Sequence, residues 1–249
     1  MTFLLGLDTR LRQSRLYLCV DTRRERGDFD DLVAAAFAGG VDIVQVREKN
    51  LPAEVELEYL ERARAAAGTQ HLVAVNDQPE LAGRFGADVL HLGQDDALSA
   101  EARKQVSKWA LLGRSTHDPA QADAALADPE LAYFCVGPVF ATPTKPDYTP
   151  AGLDLVRYAA RVAPPGDVEA RPWFAIGGIN AETLDEVIEA GARRVVVVRA
   201  ITDARDPEAA ARALKDRINR AWAEDPATRD YALRAFGPSQ RASLRDDPR

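Results

Sequence analysis

Residues 131–145 read LAYFCVGPVFATPTK. The first six are almost wholly apolar, with no alternation of polar and apolar positions. That pattern suits a strand buried on both faces, as in a parallel sheet covered by helices. Polar groups come only after the run has ended, as Thr142, Thr144 and Lys145 around Pro143. Taken alone, the stretch is either a polar loop capping a strand or a cradle for phosphate.

The same unit recurs along the chain. Short apolar runs lie at 16–20, 42–46, 72–75, 89–92, 110–113, 132–136, 173–176 and 194–198, with helical stretches between them. Phe29, Leu32, Val33, Ala36 and Phe37 repeat at helical spacing, as do Leu214, Ile218 and Trp222. Glycines close several of these helices, in AFAGG at 36–40, GRFGAD at 83–88 and EAGA at 189–192. Eight such units predict an α/β fold, a single-domain (β/α)8 TIM barrel over residues 16–223. No GxGxxG follows the first run, which weakens a dinucleotide-binding sheet. Residues 1–15 read as an N-terminal extension, a cap or arm. Residues 224–249 read as a polar, flexible, loosely attached tail with one short helix around 231–236.

Composition narrows the class. Of 249 residues, 46% are hydrophobic and 29% charged, so a sizeable core is expected. A net charge of −7 argues against nucleic acid as a partner, because phosphate backbones select clustered Lys and Arg. Small-molecule substrates are expected instead. Cys19 and Cys135 sit in apolar runs without zinc or disulfide spacing and read as core residues, which fits a reducing cytoplasm. The opening MTFLLGLDTR lacks the basic and apolar regions of a signal peptide, and no segment is apolar enough for a membrane span. A homo-oligomer is left open.

Barrel sites form at the carboxyl ends of the strands. At those ends stand Gln45 to Lys49, Asn76-Asp77, His91 to Asp96, Gly113 to His117, the 137–145 segment, Gly177-Gly178 and Val198-Arg199. They sort into three chemical kinds. Arg47, Lys49 and Lys145 bring cations to one rim of an acidic protein, which suits a polyanion such as pyrophosphate. Alternation puts Gln45, Arg47 and Lys49 on one side and Glu48 on the other, where it would pair with a helix cation. Asp77 and Asp96 follow adjacent strands and match a Mg2+ site completed by water and phosphate oxygens. Asp95 competes with Asp96, and either strand-end Asp also suits a helix N-cap. Gly177 and Gly178 let a backbone approach an anion, at the place where barrels often bind phosphate. His71 reads as structural and His91 as a barrel-interior residue. His117 lies on the active rim, and its role is open. No catalytic triad or zinc spacing is present.

In order, VQVREK, VND, HLGQDD, GRSTH, GPVFATPTK, AIGGI and VVRAI resemble the thiamine phosphate synthase family from about residue 16 to 222. The resemblance implies a (β/α)8 transferase that joins 4-amino-5-hydroxymethyl-2-methylpyrimidine pyrophosphate to 4-methyl-5-(2-hydroxyethyl)thiazole phosphate with Mg2+. Thiamine phosphate and pyrophosphate would be the products. It implies that Gln45, Arg47, Lys49, Asn76 and Lys145 hold the pyrimidine pyrophosphate, that Asp77 and Asp96 bind Mg2+, and that Ser115 contacts the pyrimidine. Thr142, Pro143 and Thr144 would line the thiazole phosphate site, completed by Gly177 or Gly178 with Val198 and Arg199. Arg47, Lys49, Lys145 and Ser115 would carry catalysis.

Two departures stand out. Family members often carry Asp and Gly where this chain has Ala132 and Cys135, a change expected to concern packing. They often carry Ser where Arg199 stands, so Arg199 would meet the phosphate through its backbone amide or its guanidinium. A thiazole tautomerase of the same superfamily and a non-catalytic thiazole-phosphate-binding regulatory barrel remain as alternatives. Neither would need the cations and both aspartates.

Overall fold

The computed structural model describes residues 6–142 and 149–236. Eight parallel strands close into one barrel in chain order. They are β1 (Leu16–Val20), β2 (Ile43–Val46), β3 (Leu72–Asn76), β4 (Val89–Leu92), β5 (Leu111–Thr116), β6 (Leu131–Val136), β7 (Trp173–Ile176) and β8 (Val195–Val197). Each pairs with its sequence neighbours, and β8 closes on β1 through Leu16↔Val195 and Leu18↔Val197.

Alternation that the apolar runs concealed appears as two separate cores. Leu18, Val44, Val73, Leu90, Leu112 and Phe134 face the surrounding helices. Tyr17, Ile43, Ala74, Val89, Tyr133 and Phe174 fill the barrel interior. A central ring of aromatics occupies that interior. Phe174 meets Tyr17 and Tyr133 edge-on, each with centroids 5.7 Å apart. Gly113 makes room for this layer, since a Cβ there would stand 2.1 Å from the Tyr133 ring.

Several strand ends differ from the sequence expectation, three of them with a clear physical reason. The expected second strand includes Asp42, whose carboxylate instead accepts the backbone N–H groups of Arg15 (2.7 Å) and Leu16 (2.9 Å) and pairs with Lys215. Arg194 stands just outside β8, with its guanidinium 4.9 Å from the Trp222 ring centroid. β5 runs on to Thr116, because Ser115 and Thr116 pair with Cys135 and Val136 of β6. Ser115 is therefore a strand residue and not the start of a loop.

The first and last described helices pack at the amino-terminal face of the barrel. Helix Leu7–Gln13 places Leu11, fully buried, against the interior cluster and so plugs the bottom of the barrel. The tail is packed further than its composition suggests. Helix Tyr231–Phe236 buries Tyr231 against Trp222, with Val168 and Ala235 beside them. Arg194 and Arg15 stack on Trp222, which fastens the tail to β8 and to the approach to β1. Residues 237–249 of the expected tail lie outside the described residues.

Candidate active site

A cavity of about 580 Å³ opens at the carboxyl ends of the strands. All the described candidate residues line it. Gln45, Arg47, Lys49, Asn76, Asp77 and Asp96 come from β2 to β4 and the segments after them. Ser115, Thr142, Gly177, Gly178, Val198 and Arg199 come from the other side of the rim. Pro143, Thr144 and Lys145 lie outside the described residues. Glu48 turns away as alternation predicts, but its carboxylate accepts from the backbone N–H and hydroxyl of Thr22, not from a helix cation.

A chain of buried and half-buried side chains forms the floor. Asn76 donates to Asp77 Oδ2 (2.6 Å), and Gln45 Nε2 donates to Asn76 Oδ1 (2.6 Å). The free Gln45 Oε1 then accepts from the Tyr17 hydroxyl (3.0 Å) and the Cys19 thiol (3.2 Å). Tyr17 in turn meets the Tyr133 hydroxyl (3.3 Å), Tyr133 meets His91 Nδ1 (2.9 Å), and His91 Nε2 meets Ser115 Oγ (2.9 Å). A carboxylate end can only accept, so each link donates toward Asp77. Nδ1 of His91 therefore donates, and when the ring is neutral its Nε2 accepts the Ser115 hydroxyl proton. The lone pairs of Ser115 Oγ are left to receive a donor from the cavity.

Asp77 and Asp96 meet at the end of this chain. Asp77 sits at φ +58° and is not the cap of the following helix Pro79–Phe85, whose N-cap is Gln78. Burial, and then the hydrogen bond and charge of Asp96, push the Asp77 carboxyl up to about 6, against Asn76 and Arg47. Asp96 folds back to accept the Gly93 N–H (2.5 Å), whereas Asp95 is exposed. Among the described residues no cluster of three or more His, Cys, Asp or Glu could hold a metal. Two adjoining carboxylates, one of them raised by burial and by its neighbour, fit a divalent cation that takes its remaining ligands from substrate and water.

Behind Asp77 lies Glu56, on helix Ala53–Ala67, almost fully buried and accepting from Gln78 Nε2 (2.6 Å). Burial pushes its carboxyl up to about 7; Gln78 opposes this, and the charges of Asp77 and Glu48 add to it. The unfolded chain releases this proton near 4.5, while the native state keeps it to about 7. Stability therefore falls as pH rises through that window. Glu56→Gln is expected to flatten the profile, so that from pH 5 to pH 8 the native chain loses about 1–3 kcal/mol more than the variant. Urea unfolding at both pH values checks this, and parallel profiles would contradict it. Glu56 escaped the sequence reading, although it opens the buried stripe Glu56, Leu60, Ala63, Ala67.

The opposite wall is built from backbone. Gly177 (φ +106°) and Gly178 (φ +67°) follow β7, and Gly177 O accepts from the Phe140 N–H (3.0 Å). Val198 and Arg199 start the short helix Arg199–Thr202 beside them. His117 lines the same cavity, with Nδ1 on the Gly137 carbonyl (2.5 Å) and its backbone N–H on Gln121 (2.8 Å). Cys19 and Cys135 are buried as expected but also line the cavity, so the change at Cys135 touches the site and not packing alone.

This geometry agrees with a comparison of sequences. A family model described as thiamine monophosphate synthase matches residues 16–201. The chain belongs to the thiamine monophosphate synthase family. A thiamine-phosphate synthase of Saccharopolyspora erythraea is 51% identical over 220 residues, covering 86% of this chain and 96% of the relative. Another, of Acidothermus cellulolyticus, is 55% identical over 203 residues, covering 81% and 93%. Among solved structures, a thiamine phosphate pyrophosphorylase from Pyrococcus furiosus superposes with a TM-score of 0.74 at 26% identity, covering 87% of this chain and 99% of its own. In this family member, no helix among the described residues is long and apolar enough to cross a membrane.

Proposed function

We propose that the protein condenses 4-amino-5-hydroxymethyl-2-methylpyrimidine pyrophosphate with 4-methyl-5-(2-hydroxyethyl)thiazole phosphate, giving thiamine phosphate and pyrophosphate. One observation carries this reading. A single cavity sets the cations Arg47 and Lys49 and the pair Asp77–Asp96 at one wall, and the glycine turn Gly177-Gly178 at the other. Two phosphorylated substrates fit such a divided site.

Ser115 Oγ, a free acceptor by the polarity of its hydrogen-bond chain, receives the pyrimidine amino group. Arg47 and Lys49, with Lys145 as the expected third cation, hold the pyrophosphate and stabilise the charge it gains on leaving. Mg2+ held by Asp77 and Asp96 would add a Lewis acid at the phosphate oxygens. The C–O bond to the ring methylene breaks, and its electron pair departs with pyrophosphate. The cation left on the methylene is stabilised by the aminopyrimidine. The thiazole, fixed through its phosphate at Gly177, Gly178, Val198 and Arg199, supplies a nitrogen lone pair and forms the C–N bond. That nitrogen carries no proton, so no general base is required. A tautomerase would leave Arg47, Lys49 and the carboxylate pair without work.

The test is a product assay with both substrates and Mg2+, then with chelator, then with Mg2+ restored. Thiamine phosphate and pyrophosphate are expected in the first and third conditions only. Folded protein that forms neither product would sink the reading.

A further inference from the structure

We propose that Arg114 is a positioning residue for the metal-binding carboxylates, an inference that rests on the Mg2+ reading above. Arg114 stands on β5 one residue before Ser115, and the two side chains leave opposite faces of the strand. Ser115 faces the cavity, whereas Arg114 reaches across to the segment that links β4 to helix Ser99–Arg103. Its Nη1 donates to the Gly93 carbonyl (2.7 Å). Its Nη2 donates to the Ala97 carbonyl (2.7 Å) and to Ser99 Oγ (3.2 Å).

Those two carbonyls bracket Gln94, Asp95 and Asp96. One planar cation therefore holds both ends of the turn that carries the Asp96 carboxylate. Within the turn, Asp96 accepts from the Gly93 N–H, and a Cβ at position 93 would come within 2.8 Å of Asp96 Oδ2. Gln94 Nε2 adds a second tie to β5, on the Ser115 carbonyl (2.5 Å). Without the guanidinium, the turn would be free to open away from Asp77 under the repulsion of its own carboxylates. Charge-assisted bonds to two carbonyls resist that, and the rigid fork of Arg spans them where the single nitrogen of Lys does not. β5 thereby sets a substrate contact with one residue and the metal turn with the residue before it.

Mn2+ binding, read by electron paramagnetic resonance with inorganic pyrophosphate present, tests this on the full chain. Groups that orient metal ligands from behind typically contribute tenfold or more to affinity, so Arg114→Gln is expected to weaken Mn2+ binding about tenfold. Arg114→Lys should fall between Arg114→Gln and the native chain, and it decides the matter if Arg114→Gln does not fold. In turnover, the Mg2+ concentration for half-maximal rate should rise about tenfold with kcat at saturating Mg2+ within about threefold, a split that a general loss of stability would not produce. Asp96→Ala serves as the reference. If Asp96→Ala weakens Mn2+ binding while folded Arg114 variants bind as the native chain does, the Arg114 inference is wrong and the metal reading stands. If Asp96→Ala binds Mn2+ as the native chain does, both fall.

Discussion

Asp96→Ala is expected to lower the rate of thiamine phosphate formation by about 10²- to 10³-fold, the scale of removing one electrostatic element aimed at developing charge. Asp96 is the acidic residue of its turn that meets Asp77, and it is held there by the Gly93 N–H. Its loss leaves one carboxylate where the departing pyrophosphate needs a counter-charge bound by two. Binding of thiazole phosphate should stay within about twofold, because that phosphate lies at the glycine wall and the effect of a distant charge is screened. Calorimetric binding of thiazole phosphate and a coupled pyrophosphate assay separate the two effects. Asp95→Ala, at an exposed position, should keep near-native turnover. An active Asp96→Ala beside a dead Asp95→Ala would move the metal site by one residue.

Gly177→Ala should damage both the fold and the thiazole side of the site. A Cβ at 177 would stand 2.5 Å from the Pro138 Cα and 2.9 Å from the Val139 nitrogen, atoms of backbone that cannot swing aside. The residue also sits at φ +106°, outside the range open to other side chains. Together these should cost about 2–4 kcal/mol. The segment after β6 must move, since Val139 and Phe140 donate to Ile176 O (2.8 Å) and Gly177 O (3.0 Å). The KM for thiazole phosphate should therefore rise more than that for the pyrimidine substrate. Gly86→Ala is the control, with φ +67° but nothing within 4 Å of the new Cβ, and it should cost only about 1 kcal/mol. Equal urea midpoints for the two variants would show that close packing at Gly177 matters little.

Much of this site is legible because strands have period two and barrels place their chemistry at one end. Gln45, Arg47 and Lys49 follow from alternation after a buried run, and all three line the cavity. Gly177-Gly178 follows from its place after the seventh run. Other residues leave no such trace. Tyr133 lies within an apolar run and looks like any core aromatic, yet its hydroxyl connects Tyr17 to His91. Arg114 looks like a solvated cation until β5 is seen to continue beneath it. Tyr231 sits in a polar stretch, and its burial is explained by the Arg194 guanidinium, the edge-on Trp222 ring, Val168 and Ala235.

By itself, the sequence determined the eight-stranded barrel, the rim that bears the site and the residue types gathered there, because those depend on local periodicity and on order along the chain. Tertiary structure decided the choices between neighbours. Asp96 rather than Asp95 meets Asp77, Ser115 belongs to a strand, Glu48 turns to Thr22, and the region after 224 packs onto the barrel as far as residue 235. Each of these depends on a hydrogen bond or a packed contact between segments distant in sequence, and those partners meet only when the barrel closes.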